Sequence, residues 1–196
     1  MEFDNLVDQI KIEKAILEIL KAIGEDPNRE GLADTPARVA RFWEEFISWD
    51  CGVLDTAFEE VHVDEMIVMR NIKGFSICEH HLLPFSFTAH VGYLPLKKGL
   101  FHRFVPTKVL GASKIVRVVE KHAHCLQIQE RMTYNIAQEI KRLTKAMGVG
   151  VIIEGRHLCI GMRGVQSPEA ELVTSTLLGA FRKIEVRDEF LRLCGR

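Results

Sequence analysis

The chain lacks a net charge of either sign to speak of, any long apolar run, and any ordered set of cysteines. Lys and Arg number 26 against 27 Asp and Glu, a formal charge of −1 over 196 residues. No global basic field therefore draws it to nucleic acid or to an anionic membrane, and any anion site has to be local. No segment is long and apolar enough to span a bilayer. Met1 to Ile10 carries acidic residues and has no basic stretch followed by an apolar one, which argues against a secretory signal. The five cysteines, at 51, 78, 125, 159 and 194, are odd in number and scattered. They do not form the framework of a small secreted protein, and a reducing cytoplasm suits them. Cys51, Cys125 and Cys194 have no ligand-type neighbours and read as packing thiols. Internal repeats, low-complexity tracts and Pro/Gly-rich linkers are also missing, so nothing marks separable domains.

What is present suits one globular domain over 1–196, with an N-terminal helical region over 1–60 and a core over 61–196. The hydrophobic fraction is an ordinary 47%. Ile12, Ala15, Ile16, Ile19, Leu20 and Ile23 recur at helical spacing, and Gly24 suits the residue after a helix end. Thr35 before Pro36 predicts a second helix start, with Val39, Phe42, Trp43 and Phe46 as its apolar stripe. The period then changes. Val61 to Ile72 reads as a strand, and Phe85, Phe87, Ala89, Val91 and Tyr93 alternate with Ser86, Thr88, His90 and Gly92 as a half-buried strand should. Helices are predicted from Pro106 to Lys121 and from Gln127 to Met147. Strands follow over Val149–Arg163 and Leu172–Thr176, and then a short helix over Arg187–Cys194.

Two clusters carry chemistry. Cys78-Glu79-His80-His81 contains a C-x-x-H pair that one tight turn can aim at a single ion. Such a pair is also what a buried thiol beside a surface imidazole looks like. The second cluster is His157-Leu158-Cys159. On a strand, His157, Cys159, Gly161 and Arg163 would share one face while Leu158, Ile160 and Met162 take the other, and a core strand has no reason to gather those polar groups. Cys159 is thus a candidate third ligand beside Cys78 and His81. Three protein ligands leave a tetrahedral zinc one position for water, the arrangement of a catalytic site.

Ser113, Lys114 and Arg117 fall on one face of their predicted helix. They make either a solvated surface or, with Arg163 nearby, an anion site. Gln129-Glu130 opens the long helix, where a carboxylate suits the dipole. The alternative is base recognition, because a carboxylate accepts the paired donors that guanine offers at N1–H and its 2-amino group.

Over nearly its whole length the chain resembles the GTP cyclohydrolase I family. The resemblance is carried by Glu30-Gly31-Leu32-Ala33-Asp34-Thr35-Pro36-Ala37-Arg38, Cys78-Glu79-His80-His81-Leu82-Leu83-Pro84-Phe85, Gly111-Ala112-Ser113-Lys114, Leu126-Gln127-Ile128-Gln129-Glu130-Arg131 and His157-Leu158-Cys159 with Met162-Arg163-Gly164-Val165. It implies an α+β tunnelling fold, with a four-stranded antiparallel sheet in ββααββ order, N-terminal helices and a short C-terminal helix, assembled as a homodecamer of two pentameric rings. It further implies an enzyme that converts GTP and water into formate and 7,8-dihydroneopterin triphosphate, feeding folate and related pterin pathways. Carried onto this chain, Cys78, His81 and Cys159 hold Zn2+, and His80, His157 and Ser113 are catalytic. Gln129 and Glu130 read the guanine. Lys114, Arg117, Arg163 and, from a neighbouring subunit, Arg38 hold the triphosphate.

Two departures from the family pattern stand out. Lys97 to Val105 is extra or rewritten material, and Cys125 replaces a usual Arg. A variant that stops at the ring-opened formamidopyrimidine is therefore an alternative reading. A non-catalytic zinc-stabilised nucleotide-binding module is another, although such a module has no use for His80, His157 and Glu130 together. Zinc nucleobase deaminases pair H-x-E with P-C-x-x-C, and neither motif is present.

Overall fold

The computed structural model describes residues 7–54, 57–58, 63, 65–96 and 109–196. The rewritten segment 97–105, the helix start predicted at Pro106 and part of the strand predicted from Val61 lie outside these residues. Two compact units are present, Met1–Asp50 and Cys51–Arg196.

In the first unit α1 spans Gln9–Ala22, and the Asp8 side chain caps it by accepting from the Lys11 backbone N–H at 3.0 Å. This satisfies one of the donors that a helix start leaves without an intrahelical partner. α2 spans Thr35–Ile47 with Pro36 in its first turn. Its cap is Asp34, one residue earlier than the sequence suggested, and Thr35 is already helical. α1 packs on α2. Phe42, Trp43 and Phe46 form an aromatic cluster, with centroids of the first two 5.4 Å apart.

The second unit begins with β1 (Ala57–Phe58), then the long strands β2 (Ile67–Cys78) and β3 (Pro84–Leu94). β4 (Val109–Leu110) pairs with β1 as a separate ribbon, followed by α3 (Ala112–Ala123), β5 (Leu126–Gln127) and α4 (Gln129–Thr144). β6 (Gly148–His157), the one-turn α5 (Leu158–Gly161), β7 (Leu172–Gly179) and α6 (Ile184–Cys194) complete the chain. Among the described residues the main sheet has five strands in the order β5-β2-β3-β6-β7. The expectation of four antiparallel strands is corrected: those four are present, and β5 adds a fifth, parallel to the end of β2. Its two residues pair at Cys78↔Gln127, and Glu79 donates its backbone N–H to Gln127 at 3.0 Å. That short ladder fixes the start of α4 beside Cys78.

One sheet face supplies Phe85, Phe87, Ala89, Val91, Tyr93, Val149, Val151 and Ile153 to a core shared with Ile115, Val118 and Val119 of α3 and Met132, Ile136 and Ile140 of α4. Each Val, Ile, Phe or Met among these contributes about 1.5–3 kcal/mol on burial. On the opposite face α6 and Phe181 pack over Ile152. Gly92 makes this possible, since a Cβ there would lie 2.7 Å from the Phe190 ring.

Four boundaries differ from expectation in ways that matter for the site. α3 starts at Ala112, and α4 starts at Gln129, so Gln127 belongs to β5. Gly148 opens β6, while the helix is closed by Lys145 in the left-handed region at φ 54°. The strand predicted to reach Arg163 stops at His157 and becomes the helical turn α5.

Candidate active site

Cys78 ends β2, 5% exposed, and the chain turns sharply after it. The Leu82 N–H donates to the Cys78 carbonyl at 2.9 Å, with Leu82 at φ 53°, and the Cys78 N–H donates to the Leu83 carbonyl at 2.9 Å. This closed turn puts His81 Nδ1 3.7 Å from Cys78 Sγ. His80, next to it, is exposed. Glu79 points to Arg131, and that hydrogen bond holds its carboxyl below the usual range. Arg131 also binds Gln127 Oε1 at 3.0 Å and the Leu126 carbonyl at 3.1 Å. The turn is thereby tied to β5.

Cys159 arrives from α5, not from a strand face. The expected alternation of His157, Cys159, Gly161 and Arg163 fails because the Met162 N–H donates to the Leu158 carbonyl at 3.0 Å, a helical bond. The turn nevertheless brings Cys159 Sγ to 3.9 Å from Cys78 Sγ. A ring nitrogen of His157 lies within 4.8 Å of both sulfurs. Two thiolates on a tetrahedral zinc sit about 3.8 Å apart, and a thiolate and an imidazole nitrogen about 3.6 Å, given bonds of about 2.3 and 2.05 Å. The Cys78–Cys159 and Cys78–His81 separations match these values. Burial first, and then the neighbouring Cys78 thiol, raises the Cys159 pKa. A cation between the thiols reverses that preference. Two soft sulfurs and an imidazole are a donor set suited to zinc.

His157 is buried and stacked on Phe85, with centroids 4.2 Å apart and planes 9° off parallel. Burial lowers its pKa, while the charge of Glu130 acts in the opposite direction. Glu130 is exposed in the first turn of α4. Gln129, expected beside Glu130 at a guanine, is instead only 1% exposed and fully engaged within the protein. Its Nε2 faces the carbonyls of Ile153 at 3.0 Å and Leu172 at 2.8 Å and Thr174 Oγ1 at 3.1 Å, and its Oε1 faces His157 Nε2 at 2.9 Å.

The basic candidates have three different sets of partners. Lys114 Nζ donates to the Val53 carbonyl, and Arg117 donates to the Cys51 carbonyl at 3.1 Å, so both reach the same short segment. Ser113 is exposed in the same helix. Arg163 is elsewhere, 3.1 Å from His81 Nε2. Arg38, in the first unit, pairs with Asp34 at 3.1 Å. A cavity of about 400 Å³ adjoins His157, lined also by Phe75, Pro84, Leu158, Met162 and Pro168. Neither Glu130 nor the basic residues of α3 line it.

Of the packing thiols, Cys194 is buried at the end of α6, in the cluster of Ile152, Phe181 and Phe190, and Cys125 and Cys51 are half-buried. Phe85, Gly155, Thr133 and Thr174 support His157 or Gln129 and escaped sequence reasoning. Only Gly155 carried a signal, as a glycine interrupting a strand otherwise rich in Val and Ile, where close approach is the usual cause.

The GTP cyclohydrolase I family model matches residues 12–195. GTP cyclohydrolase 1 of Sulfurihydrogenibium sp. (strain YO3AOP1) is 50% identical over 190 residues, covering 96% of either chain. The Aquifex aeolicus (strain VF5) protein of that name is 45% identical over 188 residues, covering 95% of this chain and 97% of its own. The Saccharomyces cerevisiae one is 43% identical over 192 residues, covering 95% and 74%. The solved apo form of archaeosine synthase QueF-Like aligns with 59% of this chain and 94% of its own at 15% identity and a TM-score of 0.44, too loose a match to define the fold. With a family model spanning nearly the whole length and relatives at this identity, the chain belongs to the GTP cyclohydrolase I family.

Proposed function

We propose that this chain hydrolyses and rearranges GTP to 7,8-dihydroneopterin triphosphate, releasing formate, with zinc held by Cys78, His81 and Cys159. The observation that carries the reading is the 3.9 Å approach of the two thiols beside a buried histidine, in a chain of this family. A divalent ion there supplies Lewis acidity, lowering the pKa of water from about 15.7 to roughly 7.

The chain's own groups do the rest. Glu130, exposed at the start of α4, accepts from guanine N1–H and the 2-amino group. His157, in its protonated form, gives a proton to N7 as water adds to C8; the C8–N9 bond then breaks with a proton passing to N9, which leaves a formamide on N7, and a second hydrolysis releases formate. His80 and Ser113 serve the proton transfers of ribose opening and ring closure. Lys114, Arg117 and Arg163, with Arg38 of a neighbouring subunit, hold the triphosphate.

The same reading takes 1–196 as one tunnelling-fold domain, with 1–60 as its helical N-terminal region, working in the cytoplasm as a decamer of two pentameric rings. Five unpaired thiols suit a reducing compartment. Exposed Leu82, Leu158, Met162 and Val165 around the site, and long stretches of β2 and β7 edge without a partner among the described residues, suit subunit contacts. Among the described residues no helix is long and apolar enough to cross a membrane.

Metal analysis followed by incubation with GTP tests the proposal. Formate together with a pterin that fluoresces after oxidation is the expected result. A formamidopyrimidine without pterin would replace it with the ring-opening variant, and bound but unconverted GTP with the nucleotide-binding module.

A further inference from the structure

We infer that Gln129 is a positioning residue for His157: its Oε1 accepts from Nε2–H, which fixes the ring and its Nε2–H tautomer and leaves Nδ1 as the nitrogen outside this contact. The orientation of the Gln129 amide is forced. The atom facing the Ile153 and Leu172 carbonyls, at 3.0 and 2.8 Å, must be the NH2 group, because a carbonyl can only accept. Oε1 is therefore the atom 2.9 Å from His157 Nε2, and a carbonyl oxygen there requires a hydrogen on that nitrogen.

Two further features hold the amide in place. Thr133 Oγ1 donates to the Gln129 backbone carbonyl at 2.7 Å and lies 2.6 Å from Thr174 Oγ1, which in turn is 3.1 Å from Gln129 Nε2. With the Thr133 hydrogen committed, Thr174 donates to Thr133 and turns a lone pair to the amide, whose two hydrogens are directed at the two carbonyls and can only be shared with it. Gly155 supplies the space. A Cβ on it would collide with Gln129 Oε1, and would lie 3.1 Å from its Cδ and 3.3 Å from His157 Nε2. Phe85 fixes the ring plane from one side. The residue next to Glu130 in sequence thus acts on the histidine and not on the base.

The test uses the full-length protein labelled with 15N-histidine and examined by magic-angle-spinning NMR, with the His157 signals assigned by their loss in His157→Asn. The parent protein is expected to give one protonated nitrogen at Nε2. Gln129→Met and, independently, Gly155→Ala should lose that single tautomer. A kinetic arm rests on the GTP reading above: both variants should lose about 100-fold in kcat, the scale of one misplaced proton-transfer group, with KM for GTP within about threefold. A mixed or Nδ1–H tautomer in the parent, or a spectrum unchanged in both variants, overturns the inference. So does a raised KM at unchanged kcat in Gln129→Met, which would return this residue to guanine recognition. A parent protein without GTP turnover overturns the GTP reading alone, because the spectrum still decides the tautomer.

Discussion

Cys78 Sγ and Cys159 Sγ lie 3.9 Å apart although 81 residues separate them in the chain. β3 brings them together by pairing with β2 at Ile77↔Pro84 and with β6 at Phe85↔His157. Both sulfurs then leave the same end of the sheet. If they share an ion with His81, Cys159→Ala and His81→Ala should lose zinc and activity together, because either change leaves two protein ligands. His157→Ala should keep zinc and lose formate release. Zinc per subunit and formate yield, measured on all three, check this. Metal-free His157→Ala protein would make His157 a ligand.

Glu130→Ala should lose productive GTP use by about 10⁴-fold in kcat/KM, since paired donors of the base are left without an acceptor. Steady-state kinetics with GTP and ATP make the comparison. Normal GTP turnover by the variant would reduce Glu130 to a carboxylate that favours the helix start.

Parts of this site were legible in the sequence because they are local. The C-x-x-H turn needs only four residues, and the alternation in β3 repeats over its whole length. β5 was not legible, since two residues carry no period and exist as a strand only through Cys78 and Ile77. Leu158, Ile160 and Met162 imitated a buried strand face, yet Leu158 and Met162 are 45% and 60% exposed and the backbone there is helical. The burial of Gln129 depends on β6 and β7 closing over the start of α4, and nothing adjacent to it in sequence announces that.

Glu139 should make stability pH-dependent well away from the site. It is 8% exposed on α4, and His122 at 2.6 Å, then Lys121 at 2.8 Å, holds its pKa down to about 2. Arg142 adds a longer contact at 3.4 Å. A depressed carboxylate stabilises the fold fully above its unfolded value near 4.5, and that contribution fades as pH falls towards 2. The full linkage is about 3 kcal/mol. Because Lys121 and Arg142 are 42% and 64% exposed, we expect about half of it, roughly 1.5 kcal/mol. Thermal unfolding of Glu139→Gln should show a lowered Tm at pH 7 and a gap that closes near pH 2. An equal gap at both would assign the loss to packing.

Arg163 and His81 should couple the metal to the anion. A guanidinium can only donate, so at 3.1 Å it bonds to a lone pair on His81 Nε2, which places the neutral ring's hydrogen on Nδ1. An ion bound at Nδ1 requires that hydrogen to move to Nε2, where Arg163 can no longer donate and is released towards a triphosphate. Metal should therefore tighten triphosphate binding partly through Arg163, on the order of fivefold or more, the lower range of such couplings. Calorimetric titration of inorganic triphosphate into zinc-loaded and chelated protein measures the effect, and the same pair of titrations on Arg163→Ala isolates the arginine from direct contact between ion and phosphate. A metal dependence as large in Arg163→Ala as in the parent would mean that the ion attracts the anion by its own charge and that the His81–Arg163 contact transmits nothing.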